Sequence, residues 1–180
     1  MKIFCLALTM VALLSFSALG QNETGTEEAI KKIFPVSQTI TTETEARAFK
    51  EQEVKVYRIS AEDKIIGWAV VLDEMGKVEP ITFLVGIDAQ GKVAGINILE
   101  YRDMFGSEIK RSSFLRQFQG KSLKDKISIG ADIDAVTSAT ISSQAAASAV
   151  RKAILIIAEL QKGDAHIKNA APLELDKDKR

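Results

Sequence analysis

From residue 54 the apolar positions recur mostly at every second residue through 59 and then gather in short runs as far as 99, and beyond residue 142 they recur at steps of four and three. The first period is that of strands, with one side chain up and the next down; the second is that of one helix face. Strands are predicted at 54–59, 65–72, 81–87 and 93–99. The breaks between them carry turn residues: Glu62-Asp-Lys64, Gly76-Lys77, and Asp88 to Lys92 with Gly91 inside. The run 81–87 is apolar almost throughout, which predicts a central strand. Short connections of this kind join neighbours, so the strands form an antiparallel sheet that helices must cover. The main cover is a helix from Ser142 to about Lys162, with Ala146, Val150, Ala153, Ile157 and Leu160 on its inner face. The fold class is therefore α+β: hairpin-linked antiparallel strands under a long C-terminal helix and shorter helices.

Ahead of the strands the pattern is helical. Thr26 reads as the cap of a short helix, Glu27 and Glu28 suit its positive end, and Pro35 stops it. Ala29, Ile30, Ile33 and Phe34 make its apolar side. A second short helical patch is predicted over 43–50. Residues 1–20 read as a signal peptide: Lys2, an apolar run over 3–14, then Ala18-Leu-Gly20 with small residues at the cleavage positions. The alternative is a retained N-terminal membrane anchor, for which the apolar run is short. The chain thus divides into a leader at 1–20, an N-terminal helical segment at 21–53, a main domain at 54–162 and a polar tail at 163–180.

Composition narrows the chemistry. The 180 residues hold 24 basic and 24 acidic side chains, and this even balance without a basic cluster argues against nucleic acid as a partner. The single cysteine, Cys5, lies in the leader, so a cleaved chain has no disulfide, no cysteine-held cluster and no haem attachment. His166 stands alone in the tail, with no companion to make a metal site. An exported domain of this kind that moved electrons would need an organic cofactor.

The stretch Asp134-Ala-Val-Thr-Ser-Ala-Thr140-Ile-Ser-Ser143 crowds small and hydroxylated residues immediately before the long helix. Hydroxyls at that place cap the free N–H groups of a helix start. The same N–H groups and the positive dipole end form a seat for phosphate. Residues alone leave both readings open.

Asp134-x-x-Thr137-Ser138-Ala139-Thr140 resembles the flavinylation motif of the FMN-binding domain family, which includes the flavin subunits of sodium-pumping NADH:quinone oxidoreductases and of ferredoxin-linked relatives. Pro80 to Asp88, Gly91-Lys-Val, Ile98-Leu-Glu100, Phe114-Leu-Arg-Gln-Phe118 and Ile133-Asp134 follow the same family's pattern, so the resemblance spans roughly residues 54–160. Two departures stand out: Ser138 replaces a frequent Gly, and Tyr101-Arg-Asp103-Met-Phe105-Gly106 replaces a frequent Glu-Thr-Pro-Gly segment. The resemblance implies FMN joined by a phosphoester to the Thr140 hydroxyl, with Asp134, Thr137, Ser138 and Ala139 completing the motif. It also implies a separate flavin transferase that uses FAD and Mg²⁺.

Other residues carry two readings. Trp68 reads first as core and second as a platform for the flavin ring. Glu100, Arg102 and Asp103 read either as solvated charges or as polar groups beside the ring. Lys110, Arg111 and Arg116 read as a solvated face or as a screen for phosphate. The expected function is an exported electron carrier with covalent FMN, periplasmic or otherwise extracytoplasmic, either free or membrane-associated. Its partners would be an electron donor or acceptor protein, such as a membrane redox complex, and the transferase. The alternative is a flavin-free binding or scaffold module of the same fold. Thr140 would be an attachment point and not a catalyst, so whether the chain is an enzyme in its own right stays open.

Overall fold

Five antiparallel strands form one sheet in simple sequence order, β1 (Thr39–Glu43), β2 (Lys55–Ala61), β3 (Lys64–Met75), β4 (Pro80–Asp88) and β5 (Val93–Tyr101). The structure, a computed structural model, describes residues 16–37, 39–43 and 54–169. Helix α1 (Phe16–Ile33) lies on one face of the sheet, and α3 (Thr140–Asn169) lies on the other. Between β5 and α3 runs a connection holding the one-turn helix α2 (Ser112–Leu115) between two 3₁₀ turns, Ser107–Lys110 and Arg116–Phe118.

The alternation of β4 explains the three layers. Ile81, Phe83, Val85 and Ile87 point into the core beneath α3, while Leu84 points into a second core beneath α1. That two-sided burial is why the segment is apolar almost throughout. The stripe Ala146, Val150, Ala153 and Ile157 is fully buried against the sheet, as its spacing predicts, and Leu160 packs at its edge. By length and composition Thr140–Lys162 could cross a membrane, but 61% of that window is buried inside the molecule, as for a core helix.

On the opposite face, Ala29, Ile30, Ile33 and Phe34 dock as their pattern predicts. Glycine makes this approach close: a Cβ on Gly86 would stand 2.7 Å from Ile33 and 2.9 Å from the Phe34 ring. Gly67 and Gly95 extend the same trench under these two side chains.

Several details differ from expectation. Helix α1 runs unbroken from Phe16, so Thr26 is a buried interior residue and not a cap. Its preceding segment, polar but free of proline, lets the helix continue. Residues 16–20 of the expected leader also belong to α1, while 1–15 lie outside the described residues. Glu43 ends strand β1 and does not begin a helix; 44–50 lie outside the described residues. Strand β1 itself was not predicted: Thr39-Ile-Thr-Thr-Glu43 has one apolar residue, and only its β-branched content hints at a strand. Helix α3 continues to Asn169, past the expected start of the tail.

Candidate functional site

The helix start that holds Thr140 is assembled by two adjoining segments and a third that is distant in sequence. The first is the turn before it. Ala139 N–H donates to the Val136 carbonyl at 3.0 Å, which puts Thr137 and Ser138 at the two corners. Ser138, the third residue of the turn, has φ 65° whereas Thr137 has negative φ, the combination of a type II turn. Glycine adopts this conformation without the Cβ clash that a serine must tolerate, which gives a physical reason for the family's usual glycine. Ser138→Gly is expected to stabilise the fold by about 0.5–1 kcal/mol, measurable as a higher urea midpoint.

The second segment is the first turn of α3. Thr140 is its first residue and is exposed, whereas Ala139 is buried as an anchor. Ser143 Oγ donates to the Ala139 carbonyl at 2.8 Å and accepts from Val136 N–H at 3.2 Å. This fully buried hydroxyl therefore ties the turn to the helix, and leaves the Thr140 hydroxyl outside that task. No acidic residue occupies the first turn, so nothing there opposes an anion at the positive end of the helix.

The third segment is the loop after β5. Tyr101 Oη donates to the Phe105 carbonyl and lies 3.1 Å from Ser142 Oγ. Burial pushes the Tyr101 phenol above its ordinary pKa, so it stays a neutral donor. Gly106, at φ 82°, fits against Ser142 where a Cβ would stand 2.3 Å from Oγ. Asp103 fastens the base of this loop: its carboxylate accepts from Val78 N–H at 2.9 Å and from Phe105 N–H at 3.1 Å. The Val78 N–H is the main reason the Asp103 carboxyl lies below the usual carboxylate range. Met104, Phe105 and Ile141 are left exposed around the helix start, with Lys77 4.4 Å from the centre of the Phe105 ring and Lys110 4.8 Å from that of Tyr101.

Upstream, Asp132 organises the approach to the motif. Its carboxylate accepts from Ser128 N–H at 2.8 Å, Ile127 N–H at 3.1 Å and Lys121 Nζ at 3.0 Å. The Ser128 N–H is the largest cause of a pKa lowered to about 2, with Lys121 and Ile127 adding to it. Both carboxyls are depressed in the folded state, so their stabilisation is complete above the ordinary value of 3.8. For Asp132 it is lost as pH falls from there through about 2. The urea midpoint is therefore expected to fall over that window, and Asp132→Asn to fall less steeply there.

Among the sequence-predicted residues, Asp134, Thr137, Ser138, Ala139 and Thr140 come together as one loop and helix start. Two do not join them. Trp68 is buried, 5% exposed, in the core beneath α3 and pairs with Ile87 in the part of the sheet away from Tyr101. Its indole packs the core and is no platform at the helix start. Glu100 pairs with Arg102, and sits opposite Thr82 on the face away from α3, since Ile81 and Phe83 point toward α3. Of Lys110, Arg111 and Arg116, it is Lys110 that reaches the site, by way of the Tyr101 ring. Sequence reasoning missed the structural work of Tyr101, Gln117, Asp132, Ser142 and Ser143. The only local signal was a pair of serines in a first helical turn.

An exposed hydroxyl at an acid-free helix N-terminus, with apolar side chains open beside it, suits an esterified phosphate whose far end is an apolar ring. Comparison with known proteins points to FMN as a ligand and is silent on how it is held. Residues 76–155 match the family model described as FMN-binding domain. The chain is also 29% identical over 122 residues to one subunit of the Na⁺-translocating ferredoxin:NAD⁺ oxidoreductase complex of Acetobacterium woodii. That match covers 62% of this chain and 59% of the relative, so the chain spans about three fifths of the relative's length.

Proposed function

Residues 76–155 belong to the FMN-binding domain family, and on that premise we propose that the protein is an exported electron carrier with FMN joined through phosphate to Thr140. The observation that carries the covalent reading is the exposed Thr140 at the first position of α3, in a turn without acidic residues. In the attachment step the Thr140 oxygen forms a bond to the flavin-side phosphorus of FAD. The phosphorus–oxygen bond to AMP breaks, AMP leaves, and the hydroxyl proton passes to the medium. Thr137, Ser138, Ala139 and Ile141 supply no base, and a threonine alcohol is a weak nucleophile without one. Activation is therefore assigned to the transferase, as the family resemblance implies.

Bound FMN supplies one- and two-electron redox chemistry. The chain's own residues hold the phosphate at the helix end and offer Met104, Phe105 and Ile141 as apolar surface. The likeness to a subunit of a Na⁺-translocating oxidoreductase complex supports a redox partner in a membrane complex. The leader pattern supports export. Cleavage after Gly20 would leave Ala29, Ile30, Ile33 and Phe34 to dock on the sheet, so the domain keeps this cover whether the leader is removed or retained.

The test is peptide mapping of the denatured protein after production with an active flavin transferase. The expected result is a gain of one FMN less one water on the peptide holding Thr140. An unmodified peptide under those conditions favours a flavin-free scaffold of the same fold.

A further inference from the structure

Gln117 makes a two-point contact with the backbone of Asp134. Its Oε1 accepts from Asp134 N–H at 2.8 Å, and its Nε2 donates to the Asp134 carbonyl at 3.3 Å. The side-chain amide thus meets both polar backbone groups of one residue, as a neighbouring strand would. The base of Gln117 is itself fixed. It lies in the 3₁₀ turn Arg116–Phe118, and Phe114 and Phe118 on either side are buried edge-to-face with ring centres 5.4 Å apart.

Side chains also hold the loop from Asp132 to Thr140 at its two ends. Asp132 binds its start through Ile127 and Ser128, and Ser143 binds its end through Val136 and Ala139. Gln117 acts between them, on the residue whose side chain opens the motif. Asp134 is exposed, so its carboxylate faces outward from a backbone that Gln117 restrains. This contact lies at the surface, which makes it a weak contributor to global stability.

We propose that Gln117 is a positioning residue for the modification of Thr140. By holding the Asp134 backbone it sets where the Asp134 carboxylate stands relative to the Thr140 hydroxyl, so that one flavin transferase site meets both. Fixed geometry between a recognised group and a reacting group lowers the barrier, and a displacement of about an ångström is enough to lose it. The proposal rests on the covalent reading above.

The experiment measures transferase kinetics with the full chain as protein substrate, FAD and Mg²⁺, for wild type, Gln117→Leu, Asp134→Ala and the double variant. Flavin on the denatured protein gives the rate. Gln117→Leu is expected to reduce kcat/KM by about tenfold, with a urea midpoint unchanged from wild type. Because Gln117 acts through Asp134, the double variant should load no more slowly than Asp134→Ala alone. Wild-type rates in Gln117→Leu would overturn the proposal, as would independent, multiplying losses in the double variant or a slowdown that only tracks a lowered midpoint. If the wild type takes no flavin at all, the covalent reading fails first and this proposal falls with it.

Discussion

Thr140→Ala is expected to abolish covalent FMN loading while leaving the fold within about 0.5 kcal/mol of wild type. The loss should be complete because the reacting oxygen is removed. Nearby hydroxyls are poor substitutes: Ser142 and Ser143 are buried and engaged with Tyr101, Phe105, Val136 and Ala139. Thr137 and Ser138 lie in the turn, ahead of the helix. The fold should persist because alanine is the strongest helix former, and Thr140 takes no part in the Ser143 tie. Fluorescence of the denatured protein on a gel reads loading, and urea denaturation reads the fold. Thr140→Ser keeps the oxygen and should keep part of the loading. Undiminished loading of Thr140→Ala, with flavin mapped to another residue, would refute the assignment. The phosphate link leaves the ring unmodified, so the loaded wild type should absorb much as free FMN does.

Ile157→Asp should unfold the domain. Ile157 is fully buried between α3 and the sheet, so the variant places an unpaired carboxylate in the core and also removes apolar packing. The combined cost is several kcal/mol, against a total stability of about 5–15 kcal/mol for a typical domain. Leu155, on the outer side of the same helix and 41% exposed, provides the comparison. Leu155→Asp should keep a folded circular dichroism spectrum and a denaturation midpoint near wild type. Since α3 also carries Thr140, Ile157→Asp should lose flavin loading along with the fold, and Leu155→Asp should retain both. A wild-type midpoint for Ile157→Asp would mean that α3 does not pack as described.

Much of this architecture was legible from local periodicity. The four-and-three spacing of Ala146, Val150, Ala153 and Ile157 named the buried face of α3, and Ala29, Ile30, Ile33 and Phe34 named that of α1. The apolar run 81–87 named an interior strand, and the hydroxyl-rich stretch around Thr140 named the helix start. These features depend on contacts that repeat within one element, and so they leave a repeating mark on the chain.

Register and long-range pairing leave no such mark. Glu100 and Tyr101 are neighbours in sequence, yet Tyr101 reaches the first turn of α3 while Glu100 sits on the other face of the sheet. The irregularity between Thr82 and Phe83 helps set that division. Trp68 and Tyr101 are both strand aromatics, and only the path of α3 across the sheet makes one a core residue and the other part of the site. No pattern along the chain singles out Gln117, and only the return of the chain brings Asp134 against it. Which faces are buried and where the long helix begins follow from nearest neighbours along the chain, whereas Thr140 was picked out as the candidate attachment residue by the family resemblance. The tertiary structure alone decided which side chains surround Thr140, because strand register and loop closure bring together residues separated by tens of positions.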